Sequence, residues 1–118
     1  MIPISAATRV YLAVGATDLR KGFEGLSDLA RQVLEVDPLS GHLCIFCNRR
    51  RTRIKVLFFD RTGFWICMKK LAQGTFSWPL ETAQGARVSL SGEELSLLLG
   101  GIELERSRRK DWWRKEAA

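Results

Sequence analysis

The apolar residues of the chain recur at helical spacing in one segment and form short continuous runs in others, which predicts both helix and strand. A short apolar run at residues 10–14 predicts a buried strand that ends at Gly15. After it, apolar residues recur at every third or fourth position, namely Leu19, Phe23, Leu26, Ala30 and Val33. This period predicts an amphipathic helix of about five turns. The helix would be capped at Thr17 and would end before Asp37-Pro38.

Residues 42–69 lack this period and form three runs separated by turns, which predicts three antiparallel strands at 42–47, 53–60 and 63–69. A two-residue turn between Asp60 and Gly63 would place Phe58 opposite Trp65, and Val56 opposite Cys67. One face of this meander would then carry Ile54, Val56, Phe58, Trp65 and Cys67, and the other Leu57, Phe59, Phe64, Ile66 and Met68. Because both faces are apolar, we expect the helix to cover one of them and further chain or a partner to cover the other.

The remaining patterns complete a predicted α+β fold. Residues 75–78 and 86–90 predict short additional strands. Ser91 and Glu94 form a capping box, with Leu90 and Leu95 at the staple positions, and Gly100-Gly101 ends the helix that follows. The fold is thus a small single domain at residues 1–105, with an antiparallel β-meander packed against one amphipathic helix and a short C-terminal helix. Residues 106–118 lack an apolar period and form a tail, for which disorder is left open.

Length and composition exclude several classes of protein. A chain of 118 residues suits one domain, and 46% hydrophobic with 27% charged residues indicates a globular protein. The apolar runs are far shorter than the about 20 residues of a membrane span. The start lacks a signal-peptide pattern, so we expect a cytoplasmic protein without a membrane partner. Three cysteines in such a protein indicate reduced thiols.

The net charge of +6 is concentrated in two short clusters. Residues 48–61 hold six basic side chains and one acidic one, and residues 106–115 hold the same numbers. The other residues carry seven basic and eleven acidic groups, so the body of the protein is mildly acidic. Such an asymmetry is typical of nucleic-acid binding.

The arginines of these clusters are the candidate binding residues, because the planar guanidinium fork pairs with phosphate oxygens and guanine edges. The predicted nucleic-acid contacts are Arg49, Arg50, Arg51, Arg53, Lys55, Arg61, Arg108, Arg109 and Lys110. Trp112 and Trp113 are candidate partner-binding residues, since indoles stack on bases or anchor protein partners. Two alternatives stay open: a solvated turn that protects a sheet edge, and tryptophans that pack back on the domain.

Metal binding and catalysis have little support in the sequence. His42, Cys44, Cys47 and Cys67 are possible ligands, but residues 44 and 47 of one strand point to opposite faces. We therefore predict no metal and no cofactor, with the cysteines buried as small hydrophobic residues. One histidine and scattered carboxylates form no recognisable catalytic set, so the protein is predicted not to be an enzyme.

Several strings of residues follow one pattern along most of the chain. They are Thr8-Arg9-Val10-Tyr11-Leu12-Ala13, Gly15-Ala16-Thr17-Asp18-Leu19-Arg20-Lys21-Gly22-Phe23-Glu24-Gly25-Leu26, Asp37-Pro38-Leu39-Ser40-Gly41-His42-Leu43, Asn48-Arg49-Arg50, Arg53-Ile54-Lys55-Val56-Leu57, Asp60 with Gly63, Lys69 or Lys70 with Leu71, Gly74, Phe76, Trp78-Pro79 and Leu98-Leu99-Gly100-Gly101-Ile102. Over residues 8–103 this pattern resembles the accessory TnpB protein, the second open reading frame, of the sixty-six family of bacterial insertion sequences.

The resemblance implies a function without implying a catalytic residue. In that family the small protein accompanies a separate transposase, which supplies the strand-cutting chemistry. We therefore expect a non-catalytic accessory role in transposition of a mobile genetic element, with DNA and the transposase as partners and with a homo-oligomer left open. Cys44 and Cys47 depart from the family pattern, which more often has an aromatic residue and an arginine there. The tail with Trp112 and Trp113 lies outside the shared region.

Two other functions compete with DNA binding at this point. As an adaptor, the protein would dock on the transposase through an apolar sheet face or the tryptophans, without touching DNA. As a nuclease-like enzyme, it would need a divalent metal and a cluster of carboxylates. The distribution of charge favours binding over catalysis.

Overall fold

Five strands form one sheet in the computed structural model, which describes residues 5, 7–81 and 85–100. The strands are β1 (Val10–Ala13), β2 (Leu43–Cys47), β3 (Arg53–Phe59), β4 (Phe64–Lys70) and β5 (Arg87–Leu90). The helices are α1 (Phe23–Leu29), which a π-helical stretch continues over Ala30–Leu34, and α2 (Gly92–Gly100). Strand order across the sheet is β4-β3-β2-β1-β5. The predicted α+β class is confirmed.

The three central strands of the prediction form the antiparallel meander with the expected register. Phe58 lies opposite Trp65 and Val56 opposite Cys67, so the two-residue turn after Asp60 is confirmed. The rings of Phe58 and Trp65 stack at 6.4 Å between centroids. The two predicted faces are also confirmed, because Ile54, Val56 and Phe58 pack in one core cluster and Leu57 packs in another.

The sheet is mixed, and its parallel part was not predicted. β1 pairs parallel with β2, since α1 carries the chain back across the sheet between them, and β1 pairs antiparallel with β5 on its other side. A parallel pair requires such a crossover, whereas the meander needs only short turns. The sheet therefore contains two strands, β1 and β5, that the simple meander lacks.

The predicted start of the first helix is wrong. Helix α1 begins at Phe23 with Gly22 as its N-cap, so Thr17 caps nothing there. The Thr17 amide instead donates to the carbonyl oxygen of Cys47 at 2.7 Å, which holds residues 15–22 as a loop against the end of β2. The helix ends where Glu35 adopts a left-handed conformation, ahead of Pro38 as expected.

Apolar layers cover the sheet on both faces. Leu26, Ala30 and Leu34 from the α1 segment pack on one face, and Phe76, Trp78, Leu95 and Leu98 pack on the other. The second cover is further chain, one of the two possibilities that the apolar faces left open. Within the described residues, no helix is long and apolar enough to cross a bilayer.

Residues 75–78 form no strand, which corrects the prediction for that segment. Their apolar side chains turn inward and cover the sheet face. The buried indole of Trp78 donates its N–H to the carbonyl oxygens of Ala13 and Gly15, at 2.9 and 3.1 Å. Burial and these bonds replace ladder pairing as the force that fixes the segment.

The capping box of α2 is confirmed by its two reciprocal hydrogen bonds. The Glu94 amide donates to the Ser91 hydroxyl at 3.1 Å, and the Ser91 amide donates to Glu94 Oε1 at 2.9 Å. Leu95 and Leu98 then face the core, which anchors this short helix to the sheet. The predicted tail at 106–118 lies outside the described residues.

We predict that acid weakens the fold at the β3–β4 turn. The Trp65 indole N–H donates to Asp60 Oδ2 at 2.6 Å, and the amides of Thr62 and Gly63 donate to Oδ1. These bonds, that of Trp65 above all, lower the pKa of Asp60 from 3.8 to about 2. A lowered folded-state pKa stabilises the protein above pH 4, and this contribution is lost as pH falls towards 2.

Thermal unfolding at pH 5 and at pH 2.5 measures this contribution. Asp60→Asn and Trp65→Phe should each show a smaller loss of melting temperature on acidification than the unmodified protein. Trp65→Phe keeps the aromatic stack on Phe58 and removes only the N–H donor. An unchanged acid sensitivity in both variants would contradict the assignment to Asp60.

Candidate nucleic-acid interface

The tip of the β2–β3 hairpin carries the first basic cluster, and Asn48 organises it. Asn48 Oδ1 accepts the backbone N–H groups of Thr52 and Arg53 at 2.9 and 3.0 Å. The backbone N–H of Asn48 donates to the carbonyl oxygen of Arg53 at 3.1 Å, and the side-chain Nδ2 donates to the Thr52 hydroxyl at 3.2 Å. The Asn48 side chain thus closes the turn from inside. The turn keeps its shape without contacts from the arginine side chains.

The backbone beyond the tip fixes the turn to the domain. The Leu71 amide donates to the carbonyl oxygen of Thr52 at 2.9 Å, and the Phe76 amide donates to that of Arg51 at 2.7 Å. Arg51 itself adopts a left-handed conformation with φ of 60°. Because both sides of the turn are held, its charged side chains project from a fixed backbone, which lowers the entropic cost of binding a ligand.

A groove runs between this tip and the β1–α1 loop. Its volume is about 970 Å³, and it opens to solvent on one side. One wall is formed by residues 16–20, which the bond from Thr17 to Cys47 holds in place. The opposite wall contains Asn48, Arg49 and Arg50, and the floor contains Arg53, Lys55 and Met68. We call this site the basic groove.

Five basic side chains and one carboxylate line the basic groove. The basic residues are Arg20, Arg49, Arg50, Arg53 and Lys55, and the acid is Asp18. Arg20 and Asp18 form an ion pair at 2.9 Å. The side-chain hydrogen bonds from Arg20 lower the pKa of Asp18 to about 2, so this carboxylate stays ionised at neutral pH. Its charge is matched by Arg20, and the other four cations give the groove its positive potential.

The remaining groove cations differ in their exposure. Arg49, Arg50 and Arg53 are exposed, and neither ion pair found among the described residues includes them. Lys55 is half-buried and donates from Nζ to the carbonyl oxygen of Lys21 at 3.2 Å. Three guanidinium groups are therefore available to an anionic ligand, and Lys55 lies behind them against the start of α1.

The structure separates two predicted contacts from the groove. Arg51 is half-buried and does not line it. Arg61 occupies the turn at the opposite end of β3. Because a strand rises about 3.3 Å per residue, Arg61 lies about 20 Å or more from Arg53. Of the other predicted residues, Arg108, Arg109, Lys110, Trp112 and Trp113 lie outside the described residues.

Sequence reasoning missed two basic residues at this end of the sheet. The predicted helix, capped at Thr17, would contain Arg20, but Arg20 lies in the loop before α1 and lines the groove. Lys70 pairs directly opposite Arg53, on the same side of the sheet. The register that predicts Phe58 opposite Trp65 already implies this pair, so extending it to the strand ends would have found Lys70.

The cysteines do not converge on a metal site. Cys44 packs in the core on the α1 side of the sheet and Cys47 in the core on the other side, as strand alternation predicts. His42 accepts the backbone N–H of Arg9 at Nδ1, at 3.1 Å. Within the described residues, no three histidine, cysteine or acidic side chains are grouped to hold a metal ion.

Comparison with known proteins identifies the family of the chain. The family model described as IS66 Orf2 like protein matches residues 8–109. The chain belongs to the IS66 Orf2-like family. The resemblance found in residues 8–103 is thereby confirmed, and the family is one of accessory proteins in transposition.

Two relatives of this IS66 Orf2-like protein come from Sinorhizobium fredii (strain NBRC 101917 / NGR234). The protein named "Uncharacterized protein y4hO" is 38% identical over 103 residues, which cover 87% of this chain and 88% of that protein. "Uncharacterized protein y4jC" is 32% identical over 110 residues, covering 93% and 92%. No solved structure matches the chain. The family is therefore what assigns an accessory role in transposition, and the groove is the feature from which a mechanism can be argued.

We predict that Asn48→Ala destabilises this IS66 Orf2-like protein by about 1–3 kcal/mol, because the backbone N–H groups of Thr52 and Arg53 lose their acceptor and each bond contributes about 0.5–1.5 kcal/mol. Chemical denaturation measures the effect. Asn48→Asp keeps the acceptor oxygen and should restore most of the lost stability. Equal destabilisation by both substitutions would show that the bonds to Thr52 and Arg53 do not hold the turn.

The thiols provide a separate test of the packing. Burial raises the pKa of the Cys44 and Cys47 thiols to about 12. Both should therefore resist a thiol reagent at pH 8 in the folded protein and react after denaturation, because only the thiolate is nucleophilic. Counting modified cysteines by mass spectrometry tests this, and rapid modification of either residue in the folded protein would contradict the packing.

Proposed function

We propose that this IS66 Orf2-like protein acts in transposition by binding DNA through the basic groove, without catalysing strand cleavage itself. The observation that carries the proposal is the arrangement of Arg49, Arg50 and Arg53. These three exposed guanidinium groups surround one open groove, and the backbone that carries them is fixed on both sides. Such a surface matches a phosphate backbone in charge and in donor geometry.

Electrostatics supports a polyanion as the ligand. Like charges placed close together repel one another, and a bound phosphate backbone relieves that repulsion while releasing its counterions. The neighbouring Lys55 and Lys70 extend the positive surface along β3 and β4. DNA is the polyanion that the family's place in transposition favours.

The chemistry of the groove favours binding over catalysis. Metal-dependent phosphoryl transfer uses several carboxylates that hold one or two cations near the scissile phosphate. Among the residues that the structure describes, Asp18 is the single carboxylate lining this groove, and it is paired with Arg20. A metal ion there would compete with a guanidinium group, whereas a phosphate would find the guanidinium donors of Arg49, Arg50 and Arg53 in the lining.

We predict that replacing Arg49, Arg50 and Arg53 with alanine weakens duplex binding and reduces its salt dependence. Each lost phosphate contact lowers the slope of log K against log salt by about 0.9, so three contacts lower it by about 2.7. Between 50 and 200 mM salt, the unmodified protein should therefore lose about 40-fold more affinity than the variant. Gel-shift titrations at several salt concentrations measure both quantities, with element-end DNA, random DNA and RNA as probes.

A matched control removes the same charge elsewhere. Arg9, Arg31 and Arg61 are exposed and lie outside the groove, so their triple alanine variant should keep most of the salt slope. Asp18→Asn should strengthen binding, because it frees Arg20 and removes the groove's negative charge. Equal loss in the two triple variants would show that net charge, not the groove, determines binding. If the unmodified protein binds no probe, the adaptor function on the transposase replaces DNA binding.

A further inference from the structure

Strand β4 forms an edge of the sheet and presents a long apolar surface there. It contains seven residues, and within the described part of the chain nothing pairs with its outer side. Trp65 and Met68 are 53% and 60% exposed, although both are large and apolar. Proteins normally protect such an edge with charges, bulges or a covering segment, because its unpaired backbone groups bind other strands. In β4 the exposed Lys69 and Lys70 supply charge at one end only, and the five residues before them carry none.

The register of the β3–β4 hairpin shows which backbone groups of β4 face outward. The Asp60 amide donates to the carbonyl oxygen of Gly63, so this pair is of the hydrogen-bonded kind. Hydrogen-bonded and non-hydrogen-bonded pairs alternate along an antiparallel ladder. Trp65, Cys67 and Lys69 therefore bond to β3. The N–H and C=O groups that point to the free edge belong to Phe64, Ile66, Met68 and Lys70.

We propose that a second copy of this chain covers the edge. The two β4 strands pair antiparallel about a two-fold axis at Cys67, which joins two five-stranded sheets into one of ten strands. Outward-facing groups must meet outward-facing groups, which limits the symmetric registers to those centred on one residue of the strand. Of these, the register centred on Cys67 alone pairs all seven residues of β4.

The side chains match in this register. Ile66 lies opposite Met68 of the other copy, Trp65 opposite Lys69, and Phe64 opposite Lys70. Each lysine therefore meets an aromatic ring, which favours cation–π contact. The Lys69 ammonium group is already held at the C-terminal end of α2 by the Leu99 carbonyl oxygen, at 2.5 Å. In a parallel pairing in register, by contrast, each lysine would lie beside its own counterpart and be repelled.

The residue order of β4 also favours a two-fold symmetric pairing. Antiparallel pairing of two β4 strands places apolar residues opposite the apolar middle of β4, and lysines opposite the aromatic residues at its start. A second copy running antiparallel supplies this arrangement without any further requirement. Two-fold homodimers are the commonest closed assemblies.

The oligomeric state of the full chain, measured under reducing conditions by light scattering, is the first test. We expect a mass twice the 13.4 kDa of one chain. Met68→Pro should give a monomer, because proline removes an outward N–H that β3 does not use. Met68→Ala keeps this N–H and should remain dimeric. Circular dichroism is the control that checks whether both variants fold.

Cross-linking by the oxidant diamide tests the register independently of any proline effect. Cys67 would form a non-hydrogen-bonded pair with its counterpart, with Cα atoms about 4.5 Å apart, within the range that a disulfide spans. A disulfide dimer should therefore form rapidly, and Cys67→Ser should abolish it. In the double variant Cys67→Ser, Ile66→Cys, the new cysteines would lie about 8 Å apart and should cross-link far more slowly.

Three results would overturn the proposal. The first is a monomer at every protein concentration tested, which would assign the edge to a different chain. The second is a Met68→Pro protein that remains dimeric, which would place the dimer contact on another surface. The third is equally fast cross-linking at positions 66 and 67, which would exclude the register. None of these results depends on DNA binding. The proposed dimer and the proposed DNA binding can therefore be contradicted independently of each other.

Discussion

The central strand β2 has no polar side chain, and this constraint determines the layers of the domain. All five of its residues are buried, and they alternate between the two faces of the sheet. Both faces must therefore be shielded from water, since burial of apolar area is the main favourable term in folding. The α1 segment shields one face. The other is shielded by two separate pieces, the segment around Trp78 and helix α2, and the indole bonds of Trp78 tie the first of them to the end of β1.

The position of the groove follows from where these covers stop. Burying an unpaired charge in either core would be costly. The charged residues therefore lie at the β2–β3 tip, beyond the ends of the two apolar layers that cover the sheet. Asn48 closes the tip, and the Thr17 amide brings the β1–α1 loop against the same end of the sheet. The groove thus results from two short connections that meet at one end of the sheet, each held by backbone hydrogen bonds. Its cations can face outward because the turn does not depend on them.

Local patterns predicted the hairpin well and the long-range pairing poorly. The register of Phe58 with Trp65 follows from alternation and a two-residue turn, both of which lie within a few residues of sequence. The parallel pairing of β1 with β2 joins segments about thirty residues apart, and periodicity alone carries no signal for it. Thr17 shows the same limit. It has the chemistry of a helix cap, but its amide is used by Cys47, a partner that only the folded sheet supplies. Arg20 was missed for the same reason. Because α1 begins only at Phe23, Arg20 lies in the preceding loop and lines the groove.

Strand alternation lets β4 contribute to the groove and to the proposed dimer without conflict. The Met68 side chain points to the groove, whereas its backbone groups point along the sheet to the free edge. The Met68 side chain therefore lines the groove beside Ile66 of the other copy, while the backbone groups of Met68 form the pairing along the sheet. In the proposed dimer the two-fold axis is perpendicular to the sheet, so both grooves lie on the same face. Arg53 and its counterpart are then separated by about 20 Å along the strands and about 14 Å across them. One polyanion could contact both grooves at that spacing, and its second contact would be intramolecular, which strengthens binding without any new residue.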